Sequence, residues 1–516
     1  MGGLSGLVAD IAPDQLQPDG ASYSENVKAV TDGWAKSDGY TSTSLTPGNE
    51  MTHLFFYSPT DGDDRWFVAG DTTIKYYRGA LLTDATRDAD PYNKAGSWRW
   101  SFTDFNGVLV ANNSVDEPQS FNITTNKFQD ITELDSKVRF RTLVKFKSYL
   151  FGLGVDSGQG YNDSEVYWSH PADPGFLPAN WDFADPASDS GKNTLPSSGY
   201  LLDALELGNS LIIYKSDSTW ICRFAGGQFV FSFEPKWDSQ GLLARGCVTQ
   251  FEGKHFVVTQ TDIMVHNGVS SKSVADRRVK KFFFDNLSRE NFQRTFVVKR
   301  PDTNEIYIFY PSRDSAEGYL DSALIYHWVN DNWEFRKLPE LTSAAFGTAI
   351  PEGVKDWDSQ TGPWEQEGTW QLGEDGRIFA PTLYMAMKDK NEIQVPSYSG
   401  LDNDQPIQGI WERRDIVLGP VSRDGVVGQN YENYKTISAL TFDVTTTEPF
   451  RVWLGFRDRL TESIIWEDFG DFDPTLGRTL DLIETTAFLS IRLVTNASGF
   501  ILRNLHIEFE IGGEVS

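Results

Sequence analysis

Short apolar runs separated by tight polar turns set the rhythm of this chain, and stretches with helical periodicity are scarce. Trp66 to Ala69 leads through Gly70-Asp71 to Ile74 to Tyr77, and Phe102 to Phe105 leads through Asn106-Gly107 to Val108-Leu109-Val110. Asn-Gly accepts the positive φ of a type I′ turn, so the second pair is a hairpin. Leu143 to Phe146 turns at Lys147-Ser148, Leu205 to Leu207 at Gly208-Asn209, and Val248 to Phe251 at Glu252-Gly253, each into another apolar run. The last two continue into a third strand, Trp220-Ile221-Cys222 and Ile263-Met264-Val265.

The turns recur with a period. Positions 107 and 147 lie 40 residues apart, 208 and 253 lie 45 apart, and Pro301 to Asn304 turns another hairpin about 49 further on. Leu324 to Trp328 into Trp333 to Phe335, and Trp370 to Leu372 into Ile378-Phe379, keep the theme. Units of this size suit four-stranded blades, which cover one another's faces when stacked radially around an axis. The pattern predicts an all-β protein: a β-propeller of about six to eight blades over residues 46–405. Trp66, Trp220, Trp328 and Trp333 fall inside strands, where packing between blades is their expected role.

Three stretches break the rhythm. Residues 155–199 hold Gly, Ser and Asp with Pro171, Pro174, Pro178 and Pro186, and read as a loop projecting from one face. Residues 351–369 are rich in Gly, Trp and acid, and 389–406 read as a link to a second body. From there to residue 516 longer alternating strands, such as Arg451 to Phe456 and Leu505 to Glu510, predict a C-terminal β-sandwich. Residues 1–45 are neither helical nor blade-like and read as an extended N-terminal arm lying against another surface.

Composition fits this organisation. At 516 residues the chain exceeds the size at which one core stops growing. Its 16 Trp and 35 Phe supply ample apolar volume, and no apolar run is long enough for a membrane-spanning helix. No signal segment is evident at the N-terminus. Cys222 and Cys247 read as buried free thiols. Lys and Arg total 46 against 73 Asp and Glu, a net charge of −27 spread along the chain, which excludes stable nucleic-acid binding through a basic patch.

Tests for chemistry return little. The six histidines show no metal-ligand spacing, and no nucleophile elbow, phosphate-binding loop or dinucleotide signature occurs. Asp61, Asp63 and Asp64, and Asp468, Asp471 and Asp473, form acidic clusters without the spacing of a calcium loop, so they read as solvated acidic surface. Lys215 to Trp220 is only weakly similar to a sialidase Asp-box, with Ser218 where that motif has glycine. No catalytic residue, metal or cofactor is assigned.

Three segments carry a family likeness. The first is Asp14-Gln15-Leu16, Gly20-Ala21, Glu25-Asn26-Val27, then Asp32 to Lys36 and Gly39-Tyr40; the second is the rhythm of Leu205 to Gly268; the third is the closing Phe500 to Glu510 with Gly512-Gly513. Together the chain resembles the tail nozzle, or tail tubular, proteins of short-tailed bacteriophages. The resemblance implies a virion tail protein, assembled in the bacterial host cytoplasm, whose subunits form a ring of six below a tail adaptor protein, with possible attachment of tail fibres. DNA would pass through the ring transiently, and an acidic lumen would repel its phosphates. It further implies that the arm and sandwich face the adaptor, with Asn26, Val27, Trp34, Trp453 and Phe509 as candidates, and that residues 155–199 form a tip or gate, with Tyr161, Trp168, Pro174 and Trp181 as candidates. A receptor- or glycan-binding, or glycan-cleaving, tail propeller and a cellular propeller scaffold are the competing readings.

Overall fold

The computed structural model describes residues 5–515 apart from 49–50, 60–63, 89–90, 94–98, 228, 351–380, 389–390, 421–428 and 447. Five antiparallel sheets of four strands follow one another along the chain, spanning 53–84, 101–130, 139–194, 201–237 and 248–273. The inner hairpins are those the turn chemistry predicts: Asn106 and Gly107 take φ of 53° and 93°, and Lys147, Gly208 and Glu252 also turn through positive φ.

A nine-stranded sheet then folds as two further blades that share one strand. Asn332–Thr348 pairs with Leu320–His327 through its first half and with Pro381–Met387 through its second, and both registers shift around Leu341. Its first half is thus the outermost strand of a sixth blade that begins at Phe296–Arg300. Its second half is the innermost strand of a seventh, followed by Pro381–Met387, Ile393–Ser397 and then Gly39–Ser42 from the N-terminal segment. The stretch 341–348 also lies beside His53–Tyr57 of the first blade, where the Leu54 N–H donates to Ser343 Oγ. This closes a ring of seven blades.

Apolar clusters fill the joints between neighbours. Phe67, Phe102, Phe121 and Phe128 join the first and second blades, Phe151, Trp168, Trp220 and Phe231 the third and fourth, and Trp66 and Tyr384 the first and seventh. Each ring so buried contributes about 2 kcal/mol of transfer free energy. Trp66, Trp220 and Trp333 are core residues, and Trp328 is partly buried against Phe251. Among the described residues no helix is long and apolar enough to cross a membrane.

The C-terminal body is a sandwich of two five-stranded sheets around one large apolar cluster, with a small second cluster at Val417, Ala487 and Phe488. One sheet runs Tyr23–Glu25, Gly409–Ile416, Phe488–Thr495, Phe450–Arg457, Ile465–Phe472; the other runs Thr479–Thr486, Asn433–Thr445, Ile501–Glu514, Gly33–Lys36, Val27–Val30. The N-terminal segment is therefore no separate arm. It gives one strand to the first of these sheets, two to the second and one to the seventh blade.

A second expectation also changes. Residues 155–199 are not one loop: Tyr161–Trp168 and Gly191–Thr194 are strands of the third blade, and the irregular part is 169–190. The prolines cluster in that part, which is why the whole stretch read as loop. The expected hairpin at 370–379 lies outside the described residues.

Gly33 shows how tightly the N-terminal strands are seated. Its φ is +143°, and an added Cβ would lie 2.1 Å from the Leu502 carbonyl oxygen. At Gly79, with φ of +54°, a Cβ would meet nothing within 4 Å. Gly33→Ala is expected to cost about 3 kcal/mol against about 1 kcal/mol for Gly79→Ala, read from urea unfolding midpoints. Equal costs would show that Gly33–Lys36 does not pack against the last strand.

Candidate functional site

The propeller and the sandwich meet along the outer strand of the sixth blade, and charged groups are buried there. Strand alternation sets Arg300, Glu305, His327 and Asn332 side by side across the blade, with Tyr307 and Glu334 in the next row and Arg336 in the row after. Glu334 and Arg336 are almost fully buried, and the guanidinium engages both carboxylate oxygens. Ser37 Oγ, from the N-terminal segment, donates to the same carboxylate. His327 lies between two acids, its Nε2 3.3 Å from Glu334 and its Nδ1 3.6 Å from Glu305. Glu305 accepts from the Tyr307 hydroxyl at 3.0 Å and from Thr303 Oγ1 at 2.7 Å, and Arg300 lies 3.7 Å away.

Burial by itself would raise the Glu334 carboxyl, but the charge of Arg336 and hydrogen bonds from His327 and Arg336 outweigh it and hold the group well below the usual range. Glu305, His327 and Glu334 bring three possible ligand atoms within 4.8 Å of one another, a donor set that would suit a divalent cation. Arg300 and Arg336 already set positive charge against both carboxylates. The arrangement works as an ionic clamp: acids and bases are paired, buried and held by backbone elements on both sides.

Asn26 completes the junction. At φ of 54°, its N–H donates to the Phe335 carbonyl at 3.0 Å, its Oδ1 accepts from the Lys337 N–H at 3.1 Å, and its Nδ2 donates to the Gln408 carbonyl at 2.8 Å. One side chain thus spans blade and sandwich. Lys36, brought down to about 8 by burial, donates from its ammonium to the carbonyls of Ile407 and Asn496.

The expected adaptor-facing residues divide accordingly. Asn26, Val27 and Trp34 are buried within this chain, so their side chains are not free to meet another protein. Phe509 packs partly against the sandwich core, and Trp453, half-buried, faces outward beside Arg451. Of the expected tip residues, Trp168 packs on Phe151 and Phe231, Trp181 on Phe140, and the Tyr161 ring lies under Arg141. Only Pro174 is exposed.

The acidic clusters are solvated turns and edges where they are described. Asp468 and Asp471 pair with Arg451, Asp473 accepts from Thr475, and Asp64 accepts from Ser58; Asp61 and Asp63 lie outside the described residues. Cys222 and Cys247 are free and buried, and burial pushes the Cys247 thiol up to about 12. The clamp was missed in the sequence, although its signal is there. Residues 332–336 put Glu334 and Arg336 among Trp333 and Phe335 in a strand that is buried on both faces.

A second buried polar group joins the fourth and fifth blades. Gly268 N–H donates to His266 Nδ1, so the neutral ring carries its proton on Nε2 and donates to the Tyr214 oxygen at 2.7 Å. Tyr214 then donates to His255 Nδ1 at 2.7 Å, and His255 Nε2 donates to the Glu206 carbonyl at 2.9 Å. Every polar atom in this chain of bonds is used. Burial brings His255 down to about 4, and burial with the nearby His255 brings His266 down to about 3.

No protein-family model matches this chain, and no curated protein does. Among solved structures, it is similar to the WD40 β-propeller domain of Doa1, at 10% identity and a TM-score of 0.36, over 70% of this chain and 97% of that one. It is also similar to the extracellular domain assigned to a hybrid two component system, BT3049, from B. thetaiotaomicron, at 9% identity and a TM-score of 0.44, over 96% of this chain and 62% of that one.

Two measurements test the buried groups. Arg336→Ala leaves Glu334 buried without its cation and is expected to cost about 3–5 kcal/mol, whereas Glu334→Leu with Arg336→Met recovers most of that loss. A double variant as unstable as the single one would contradict the clamp. Because His255 titrates lower folded than unfolded, its contribution is fully present above about pH 6.5 and is lost as pH falls toward 4. His255→Gln with His266→Gln is therefore expected to flatten the decline in Tm between pH 7 and 4, and an unchanged decline would remove the histidines as its source.

Proposed function

We propose that this chain is the tail nozzle of a short-tailed bacteriophage: a virion structural protein that closes the distal end of the tail and forms a conduit for DNA ejection. The β-propeller architecture itself is plain from the sheets. The observation that carries the functional reading is the course of residues 23–42, which complete both sandwich sheets and the last blade and so make one stiff unit of two bodies. A part that bears internal pressure across a ring needs such coupling, because a hinged linker would let the subunits shear.

In this reading the sandwich forms the platform below the adaptor protein. Its exposed faces and edges serve this role in place of the buried Asn26, Val27 and Trp34. The segment around Pro174, with Phe176 exposed beside it, is the part of 169–190 available as a tip. Localisation is the virion tail, after assembly in the host cytoplasm. The net charge of −27 per subunit supports a lumen that DNA crosses without adhering.

A receptor- or glycan-binding propeller is the second reading. One face favours it: Ile123, Phe176, Phe229, Val269, Val329 and Tyr398 are all well exposed at or beside turns that follow the third strand of their blades. Apolar and aromatic groups on hairpin tips suit contact with sugars or a protein surface.

Native mass measurement separates the two readings. The nozzle is expected as a hexamer, or as a monomer that assembles into six-fold rings when a tail adaptor is supplied. A stable trimer that retains sialylated or capsular glycans on an array would overturn the nozzle and support the receptor-binding protein.

A further inference from the structure

The last strand of the sandwich, Ile501–Glu514, has Asn433–Thr445 along one side, but on the other side Gly33–Lys36 pairs with it only at Ile501 and Leu502. The turn between Val30 and Gly33 ends that neighbour, so residues 504–511 form a sheet edge. The direction of their backbone groups follows from the ladder. Phe442 turns its N–H to the Arg478 carbonyl, away from Leu505, its cross-strand neighbour. That pair exchanges no bonds, and the N–H and C=O of Leu505 therefore point to the open edge. Alternation sends those of Ile507, Phe509 and Ile511 the same way. Leu505 N–H turns to Asn504 Oδ1 at 2.9 Å, and among the described residues no strand pairs with this side of 504–511.

The edge opens on a groove of about 690 Å³, within the size range of ligand clefts. Trp34, Trp411 and Leu418 of the sandwich core line it, together with Leu505, Ile507 and Phe509, which pack against that core but are only half-buried. The opposite face of the strand is polar and mostly acidic: His506, Glu508 and Glu510 are exposed, and Asp443 stands opposite Asn504 on the neighbouring strand. A long edge with one apolar face is a template for another chain, and proteins blunt such edges with lysine, proline or an extra residue. Residues 504–511 carry none of the three.

We propose that residues 504–511 accept an extended segment of a partner protein as an added strand, one in which apolar residues alternate with lysine or arginine. Backbone bonds to Leu505, Ile507 and Phe509 hold the segment in place. Its apolar side chains enter the groove beside these three residues and take their half-exposed surface out of water. Its remaining side chains fall beside Glu508 and Glu510, where a cation is matched and a carboxylate repelled. The backbone thus supplies attachment, and the two glutamates supply selection. The inference rests on this edge and not on the nozzle reading, so the mass of a ring leaves it untouched.

Calorimetry of the full chain with synthetic peptides as long as residues 504–511 tests the edge. A peptide alternating valine and lysine is expected to bind about tenfold or more tightly than one with the same residues in separate blocks, or one alternating valine and glutamate. Glu508→Lys with Glu510→Lys, both exposed, is expected to weaken the valine–lysine peptide about tenfold and to strengthen the valine–glutamate one. Ile507→Pro removes a donor from the open edge and none from the ladder to Asn433–Thr445, and is expected to weaken the valine–lysine peptide about tenfold as well. No binding, equal binding of the alternating and block peptides, or affinities unchanged by the charge reversal would overturn the proposal. So would a dimer of the chain that the charge reversal dissolves, which would assign the edge to a second copy.

Discussion

The closing contact of the propeller is the pairing of Gly39–Ser42 with Ile393–Ser397, and the rest of the molecule depends on it. A blade sheet is apolar on both faces, so each of the seven needs a neighbour on either side, and an open stack would leave two faces in water. The ring closes only if the first and last blades stay together. Drawing the seventh blade's fourth strand from the N-terminal segment makes that closure a matter of backbone hydrogen bonds as well as packing. The strands it joins are about 350 residues apart in sequence, and the length-dependent entropy of closing such a loop is about 5 kcal/mol. That cost is offset by the buried rings at the first–seventh joint, where Trp66 and Tyr384 meet at 4.5 Å.

Apolar packing alone does not set the alignment of these joints. Joints filled by aromatics alone tolerate sliding, because apolar contact carries no direction. Directional bonds are concentrated instead at particular seams. Glu334 and Arg336 sit under Ser37, Asn26 spans blade and sandwich, and Tyr214 is held between two histidines of the next blade. Buried ion pairs add little net stability when compared with well-packed apolar groups, but a register shifted by one residue would strand each of these charges. Their value here lies in fixing one alignment of the N-terminal segment against the sixth blade.

The hairpins were legible because their information is local. Asn106-Gly107 and Glu252-Gly253 favour positive φ whatever surrounds them, and the spacing between such turns repeats with the blades. The N-terminal strands were not legible for the opposite reason. Tyr23–Glu25 and Gly39–Ser42 are three or four residues long, and their partners are hundreds of residues away, so no periodicity could accumulate. Residues 155–199 misled because four prolines in one long hairpin connection masked the strand Tyr161–Trp168. The clamp escaped notice since charged residues in an alternating strand are expected to face water. In Asn332–Thr348 both faces are covered, one by the neighbouring blade and the other by the N-terminal segment.

One mechanical consequence follows from these joints. Asn26, Lys36 and Ser37 fasten the sandwich and the sixth blade to a stretch of about a dozen residues, and the next few residues close the ring. Rotating the sandwich against the propeller would break the Asn26 bonds, expose Glu334 and pull on the seventh blade together, at a cost of several kcal/mol. Motion in this molecule is therefore confined to segments outside that frame. Among the described residues the largest is 169–190, which is anchored by Trp181 on Phe140, by Phe183 on Tyr167 and by the Ala172 and Gly175 N–H groups on the Ser148 and Asn106 carbonyls, and is exposed around Pro174 and Phe176. In the ring of subunits we propose, the frames would keep the bore fixed, and any gate would have to be built from loops of this kind.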